Sequence, residues 1–205
     1  LPAGISAAFT KLGGLLIMFN TAHDALEAIR KAAPAIQEIF SAMMLAILRL
    51  PQPVIAAVEA TATAAGCQLV ATCDLAVAST TAKFCTPGVQ IGLFCSTPMV
   101  ALSRNVARKH ALEMLLTGDM ISAEDAYRMG LVNRVVEPGK AREEAIKLAR
   151  KIAATSAAAV KFGKEAFYRQ LEMGVADAYD HATEVMVQNM MARDAEEGIS
   201  AFVEK

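Results

Sequence analysis

Apolar residues are arranged in two different ways along this chain. Up to about residue 95 they gather in short uninterrupted runs, and beyond residue 96 they recur at helical spacing. Leu15–Phe19, "LLIMF", beside Gly13 and Gly14, predicts a buried strand, and "NTAHD" after it a polar turn with Asp24 placed to cap the next element. From Ala35, the positions Ile36, Phe40, Met43, Ile47 and Leu50 recur at steps of four and three, which is one face of an amphipathic helix. Pro51 and Pro53 end it. Val54–Val58, "VIAAV", has no polar alternation and predicts a strand covered on both faces, as in a parallel sheet. A helix over Ala64–Thr72 and a strand over Leu75–Ser79 complete a compact βαβ crossover, and a fourth short strand is expected at Lys83–Phe84.

The second part reads as almost pure helix. Ser122 with Asp125 resembles a capping box, and Gly118 and Gly130 are placed as helix stops. "NRVV" adds one short strand. Arg142–Thr155 and Ala158–Gln170 are amphipathic. The last helices carry Tyr179, Val185, Met186 and Met190, then Ile199, Phe202 and Val203, on apolar faces. The expected architecture is α/β, with a sheet-bearing region over residues 1–95 and a helical region over 96–205.

Composition narrows the class. The 205 residues are 55% hydrophobic and 20% charged, so there is ample material for a core. A net charge of -1 and the lack of a basic stripe argue against a nucleic-acid partner. Cys67, Cys73, Cys85 and Cys95 show neither zinc spacing nor CxxC pairing, and their apolar surroundings suit core thiols in a reducing compartment. The longest uncharged run, Phe84–Ser103, holds two prolines, two glycines and four Ser/Thr residues, so it predicts a loop and short helix and no membrane partner. "LPAGISAAFTKLGG" has no signal-peptide pattern and only one basic residue, which disfavours a mitochondrial presequence.

Dinucleotide, P-loop and nucleophile-elbow motifs are absent, as is any cluster of metal ligands. His110 and His181 read as surface or packing residues, while His23 falls where a turn comes after a predicted strand. "TATAAGCQ" is more informative. Ala64, Ala65 and Gly66 leave a helix start uncovered, and the first N–H groups of a helix have no partner within it. Such a start either holds an anion or a polarised carbonyl, or lets the helix pack close to a sheet. Gln68 comes next as the one long polar side chain.

"PQPVIAAVEATATAAGCQLVATCDLAVASTTAKFCTPGVQIGL" resembles the core of the crotonase, or enoyl-CoA hydratase/isomerase, superfamily. "ALEMLLTGDMISAEDAYRMGLVNRVVE", "ARKIAATSAAAVKFGKEAF" and "EGISAFVEK" extend the likeness in order to Lys205, and "FNTAHD" resembles the family's first oxyanion loop. The resemblance implies a spiral of βα turns followed by a helical trimerisation region, giving a homotrimer or a dimer of trimers. It implies binding of acyl-CoA, with CoA as part of the substrate and no separate cofactor or metal. The backbone N–H groups of His23 and Ala65 would polarise the thioester carbonyl, and Cys95 and Ser96 would line the acyl pocket. At the positions of the family's two glutamates stand Gln68, which exchanges no proton near neutral pH, and Gly88, which has no side chain. Weak or absent hydration, or a non-catalytic acyl-CoA-binding or regulatory role, is the expectation. Glu59, which follows a predicted buried strand, and Asp74, at a strand start where the family has a packing residue, are candidate substitutes, and neither is a convincing one. Ala60 stands where the family usually has glycine, and only 22 residues precede His23. The family's N-terminal strands are therefore expected to be truncated or atypical. The expected compartment is the cytoplasm, or the mitochondrial matrix for a eukaryotic protein processed at its N-terminus.

Overall fold

A computed structural model describes residues 22–204, so the strand expected at Leu15–Phe19 lies outside the described residues. The chain divides into two units, Leu1–Ala46 and Ile47–Lys205. Helix α1 spans Ala22–Arg49 and starts well before the expected Ala35. It runs through Pro34, which costs a helix interior about 3 kcal/mol, but alanines at 22, 25, 28, 32, 33 and 35 favour helix around it. His23 and Asp24 are accordingly helical and not part of a polar turn. Within α1, Ile29–Arg49 is long and apolar enough to cross a membrane by length and composition. It is not an uncharged run, because Arg30, Lys31 and Glu38 interrupt it, and its apolar residues keep one-sided spacing.

In the second unit, strands β1 (Ile55–Val58), β2 (Ala62–Thr63), β3 (Leu75–Ser79) and β4 (Lys83–Cys85) alternate with helix α2 (Ala65–Thr72). A 3-10 turn over Pro87–Ile91 leads to α3 (Ser96–Asn105) and α4 (Arg108–Thr117). Then come β5 (Ile121–Ser122), α5 (Ala123–Arg128), β6 (Arg134–Val136), α6 (Ala141–Ala153), α7 (Ala157–Gln170), α8 (Val175–Met190) and α9 (Arg193–Val203).

Each βα turn gives one strand to each of two sheets, as the spiral requires. One sheet is parallel, in the order β1-β3-β6, with Ile55 beside Leu75 and Val77 beside Arg134. The other has the order β2-β4-β5, parallel between β2 and β4 and antiparallel between β4 and β5. After residue 96, β6 is the short strand expected at "NRVV", whereas β5 is not among the expected elements; the two close the two sheets. β3 is central and buried from Ala76 to Ser79. β1, expected to be covered on both faces, is an edge strand among the described residues; Ala57 is exposed. The core gathers Cys67, Val70 and Ala71 of α2 with Phe84, Leu102, Met114, Leu115 and Leu131.

Caps match the expected punctuation. Ser122 Oγ accepts from Asp125 N at 3.0 Å, and its hydroxyl donates to the Asp125 carboxylate. Gly118 (φ 70°) and Gly130 (φ 85°) take left-handed conformations after α4 and α5. Behind the sheets, Lys164 of α7 is buried. Its ammonium donates to Asp74 Oδ2 at 2.7 Å and to the carbonyls of Ile47 and Gln52, both at 3.0 Å. Tyr168 and the Val54 N–H also donate to Asp74.

Candidate functional site

The second sheet delivers the chain to the start of α2. β2 runs parallel to β4, and the Ala64 N–H continues that ladder by donating to Cys85 O at 3.0 Å. To turn from strand to helix there, Ala64 adopts φ 47°, ψ -111°. Among the described residues it is the one non-glycine residue at positive φ. An L-residue held there costs about 1–3 kcal/mol, which the surrounding ladder and core must offset. The first helical bond is donated by Gln68 N to Ala64 O at 2.9 Å, so the N–H groups of Ala65, Gly66 and Cys67 precede it. No acidic side chain occupies the first turn, and no side chain caps it. A helix start in this state favours a carbonyl oxygen that gains negative charge.

Gln68 lies one turn into α2 and is only 6% exposed. Its carbonyl accepts from the Thr72 hydroxyl, but no hydrogen bond among the described residues engages its side-chain amide. The sole fully enclosed side-chain N or O without a partner among those residues is His181 Nε2. The Gln68 amide therefore reaches accessible space, a polar group at the mouth of an apolar interior.

Gly88 lies in the 3-10 turn and is buried. A Cβ added there would stand 2.9 Å from Cys95 Sγ, 2.9 Å from the carbonyl oxygen of Leu93 and 3.2 Å from Cys95 N. The 93–95 segment is held in that place by the Leu93 N–H, which donates to Gly88 O at 2.9 Å. Position 88 is thus closed to any side chain while this segment keeps its path. Cys95 is the N-cap of α3, half-buried, and its thiol takes the volume next to residue 88. Ser96 is exposed, with its hydroxyl donating to Phe94 O.

Three of the four thiols share one region. Burial, together with the nearby Cys85 and Cys95, pushes the Cys67 thiol up to about 12. Cys85 donates to the Thr63 hydroxyl from inside the core. Cys73 stands apart; burial first and the adjacent Asp74 second push it up to about 11.

The two carboxylates weighed as substitutes are engaged elsewhere. Glu59 accepts from the N–H groups of Gly139 and Ala141 at 2.9 and 2.8 Å and so caps α6. Asp74 is saturated by Lys164, Tyr168 and Val54. His110 is exposed, 3.9 Å from Glu113. His23 is the second residue of α1, in the other unit, where a first-turn N–H has no intrahelical acceptor. Sequence reasoning misses the closure of position 88 by Cys95 and Leu93. A glycine with a turn back five to seven residues later is its only trace.

Residues 14–205 match the family described as enoyl-CoA hydratase/isomerase. The rat enoyl-CoA hydratase domain-containing protein 3, mitochondrial, is 47% identical over 192 residues, covering 92% of this chain and 64% of the relative. The Xenopus laevis protein of that name is 54% identical over 76% of this chain and 53% of its own length. This chain therefore spans between about half and just under two thirds of these curated relatives. The crystal structure of the human enoyl-CoA hydratase domain-containing protein 3 superposes with a TM-score of 0.83 at 48% identity, covering 90% of this chain and 71% of that one. A Mycobacterium smegmatis enoyl-CoA hydratase gives 0.82 at 54% identity, covering 85% and 68%. The matched family, the two sheets of the spiral and the superposed structures agree, and the chain belongs to the enoyl-CoA hydratase/isomerase family, with the crotonase fold.

Proposed function

We propose that this chain binds acyl-CoA thioesters and stabilises the enolate that forms when the thioester carbonyl is polarised, while hydrating enoyl-CoA weakly or not at all. The observation that carries the first half is the uncovered start of α2 beyond a strained Ala64. The Ala65 N–H is the donor this unit offers. One such donor contributes about 2.7–4 kcal/mol to a developing oxyanion. The closure of position 88 and the amide at Gln68 support the second half. Adding water across a double bond needs a base for the water and an acid for the α-carbon; each typically contributes about 10²–10⁴ in rate. With Glu59 and Asp74 engaged, no described carboxylate is free for either task at this helix start. The same closure favours a second reading, an acyl-CoA-binding protein without turnover.

The relatives named mitochondrial support placing the working protein in the mitochondrial matrix. Exposed Met186, Met190, Ile199 and Phe202 support a homotrimer assembled through α8 and α9. Binding of butyryl-CoA and turnover of crotonyl-CoA, measured on the same sample, test the reading. Binding with turnover far below ordinary enzyme rates supports it. Ordinary turnover overturns the loss of hydration, and absence of binding overturns the whole reading. Ala65→Pro, which removes the N–H donor, should abolish binding of an enolate-mimicking ligand in a folded protein.

A further inference from the structure

Ala64 sits at φ 47°, ψ -111°, a conformation that an L-residue keeps only where its surroundings fix it from both sides. Before the turn, its N–H is tied to Cys85 O at 3.0 Å. After it, the eight residues of α2 lead to Asp74, two residues beyond the helix. That carboxylate is fully engaged. Its Oδ2 accepts from Lys164 at 2.7 Å and from the Val54 N–H at 2.6 Å, and its Oδ1 accepts from Tyr168 at 2.8 Å. The Lys164 ammonium has three protons and three acceptors, Asp74 and the carbonyls of Ile47 and Gln52. Lys164 and Tyr168 stand four residues apart on one face of α7. Burial first, and Asp74 second, push the Tyr168 hydroxyl up, so it remains a donor. Asn105 adds a second tie near this end of α2 by donating to Ala71 O at 2.7 Å, whereas no side chain caps the first turn.

We propose that Lys164, Asp74 and Tyr168 are positioning residues. From the far end of α2 they hold Ala64 in its strained turn and so set the aim of the Ala65 N–H at an acyl thioester oxygen. This rests on the acyl-CoA reading above. The Ala65 N–H lies in the planar peptide unit that follows Ala64, so ψ at Ala64 decides where it points. α2 is only about 12 Å long, and a helix that short moves as a rigid rod. A shift at its Asp74 end therefore reaches its first turn. With the clamp released, Ala64 relaxes toward an ordinary conformation and the N–H turns with it. A buried ion pair is seldom more stabilising than well-packed apolar residues of equal volume, but a fully satisfied one permits a single arrangement. Precision is what an oxyanion donor needs. A displacement of about 1 Å at a reacting centre costs about 10²-fold, and the loss falls on the charged oxygen more than on the neutral carbonyl.

Calorimetry on the full chain compares butyryl-CoA, a neutral thioester, with acetoacetyl-CoA, a β-keto thioester that ionises to an enolate. The parent is expected to prefer acetoacetyl-CoA, and Lys164→Met to lower that preference by about tenfold or more. Partial unfolding scales both affinities alike, so their ratio reports aim and not stability. Val77→Ala is the control. Val77 is fully buried with Ala141 and Ala145, on the face of β3 opposite the Ala76 and Ala78 that share a core with α2. It should lower the melting temperature and leave the ratio unchanged. Tyr168→Phe removes one hydrogen bond and no charge, and should lower the preference by about twofold or more. Ala64→Gly in the Lys164→Met background should restore part of it, because glycine takes positive φ without strain. An unchanged ratio in Lys164→Met overturns the inference; if that variant does not fold, an unchanged ratio in Tyr168→Phe does so. A double variant no better than Lys164→Met overturns the link to Ala64. A parent that binds butyryl-CoA without preferring acetoacetyl-CoA removes the enolate half of the reading and the inference with it. A parent that binds neither removes the acyl-CoA reading itself.

Discussion

Placing one methyl group at residue 88 probes the closure directly. In Gly88→Ala the new Cβ would sit 2.9 Å from Leu93 O and from Cys95 Sγ, and 3.2 Å from Cys95 N. Ordinary contacts begin near 3.4 Å, so three atoms must retreat by several tenths of an ångström. The thiol can rotate, but Leu93 O is backbone. The Leu93 N–H bond to Gly88 O ties that backbone to the very residue that is changed. Overpacking of this kind costs about 1–3 kcal/mol, and loss of the tie adds about 0.5–1.5 kcal/mol. In a chain of this size each kcal/mol moves the melting temperature by about 2–4 °C, so the variant should melt roughly 3–18 °C below the parent. Thermal unfolding followed by circular dichroism reads this, with urea midpoints as an independent scale. Cys95→Ala in the same background removes one of the two close contacts and should recover part of the loss, whereas Cys73→Ala should recover none. A Gly88→Ala protein that melts within a degree of the parent would refute the closure and free position 88 for a carboxylate.

Four other outcomes are expected. Lys164→Met leaves the carboxylate of Asp74, 13% exposed, without its cation, and should cost about 3–5 kcal/mol, read as a fall in melting temperature of roughly 6–20 °C; an unchanged melt would refute it. Gln68→Glu supplies one carboxylate at accessible space and should raise crotonyl-CoA hydration by about tenfold, increasingly at higher pH because burial holds the new acid above the usual carboxylate range; no gain in a folded, ligand-binding variant would count against the position. Stability should fall as pH rises above 9, because Cys67 and Cys73 ionise near 9 when unfolded but only near 12 and 11 when folded, so the unfolded chain loses protons first; Cys67→Ala should flatten that decline in urea midpoints. Light scattering on a size-exclusion column should give a trimeric mass, and a monomer at micromolar concentration would remove the role assigned to α8 and α9.

Local pattern determines how much of this chain is legible in its sequence. Leu75–Ser79 is legible because four small or branched apolar residues in a row, ending on Ser79, suit a central parallel strand. Ala65–Thr72 is legible because small residues precede an apolar helical face. Motif positions point to Gln68 and Gly88 as departures from the family pattern. The boundaries of α1 are not legible, since a proline inside a helix defeats the rule that proline marks its start. β1 has the composition of a buried strand but lies at an edge, which is a property of the sheet and not of the strand. Glu59 and Asp74 look available in sequence because all their partners but the Val54 N–H lie about 80 to 94 residues away. Those pairings are set by tertiary packing, and no local spacing announces them.

The closure at residue 88 changes what the absence of a carboxylate means. A glycine in place of glutamate reads as a single substitution, reversible by a single codon. Here the backbone of Leu93 and the thiol of Cys95 already stand where that side chain would leave the main chain. Gly88 is required by the path of the 93–95 segment, and that path in turn sets the N-cap of α3 at Cys95. One loop geometry therefore both closes position 88 to a side chain and sets the Cys95 thiol beside it. Gln68→Glu with Gly88→Glu should consequently misplace the loop before it restores a water-activating pair, and its activity should fall below that of Gln68→Glu alone. Restoration would need the 92–95 segment to be rerouted first. A double variant that folds with the parent's melting temperature and exceeds Gln68→Glu in crotonyl-CoA hydration would break this link between loop path and chemistry.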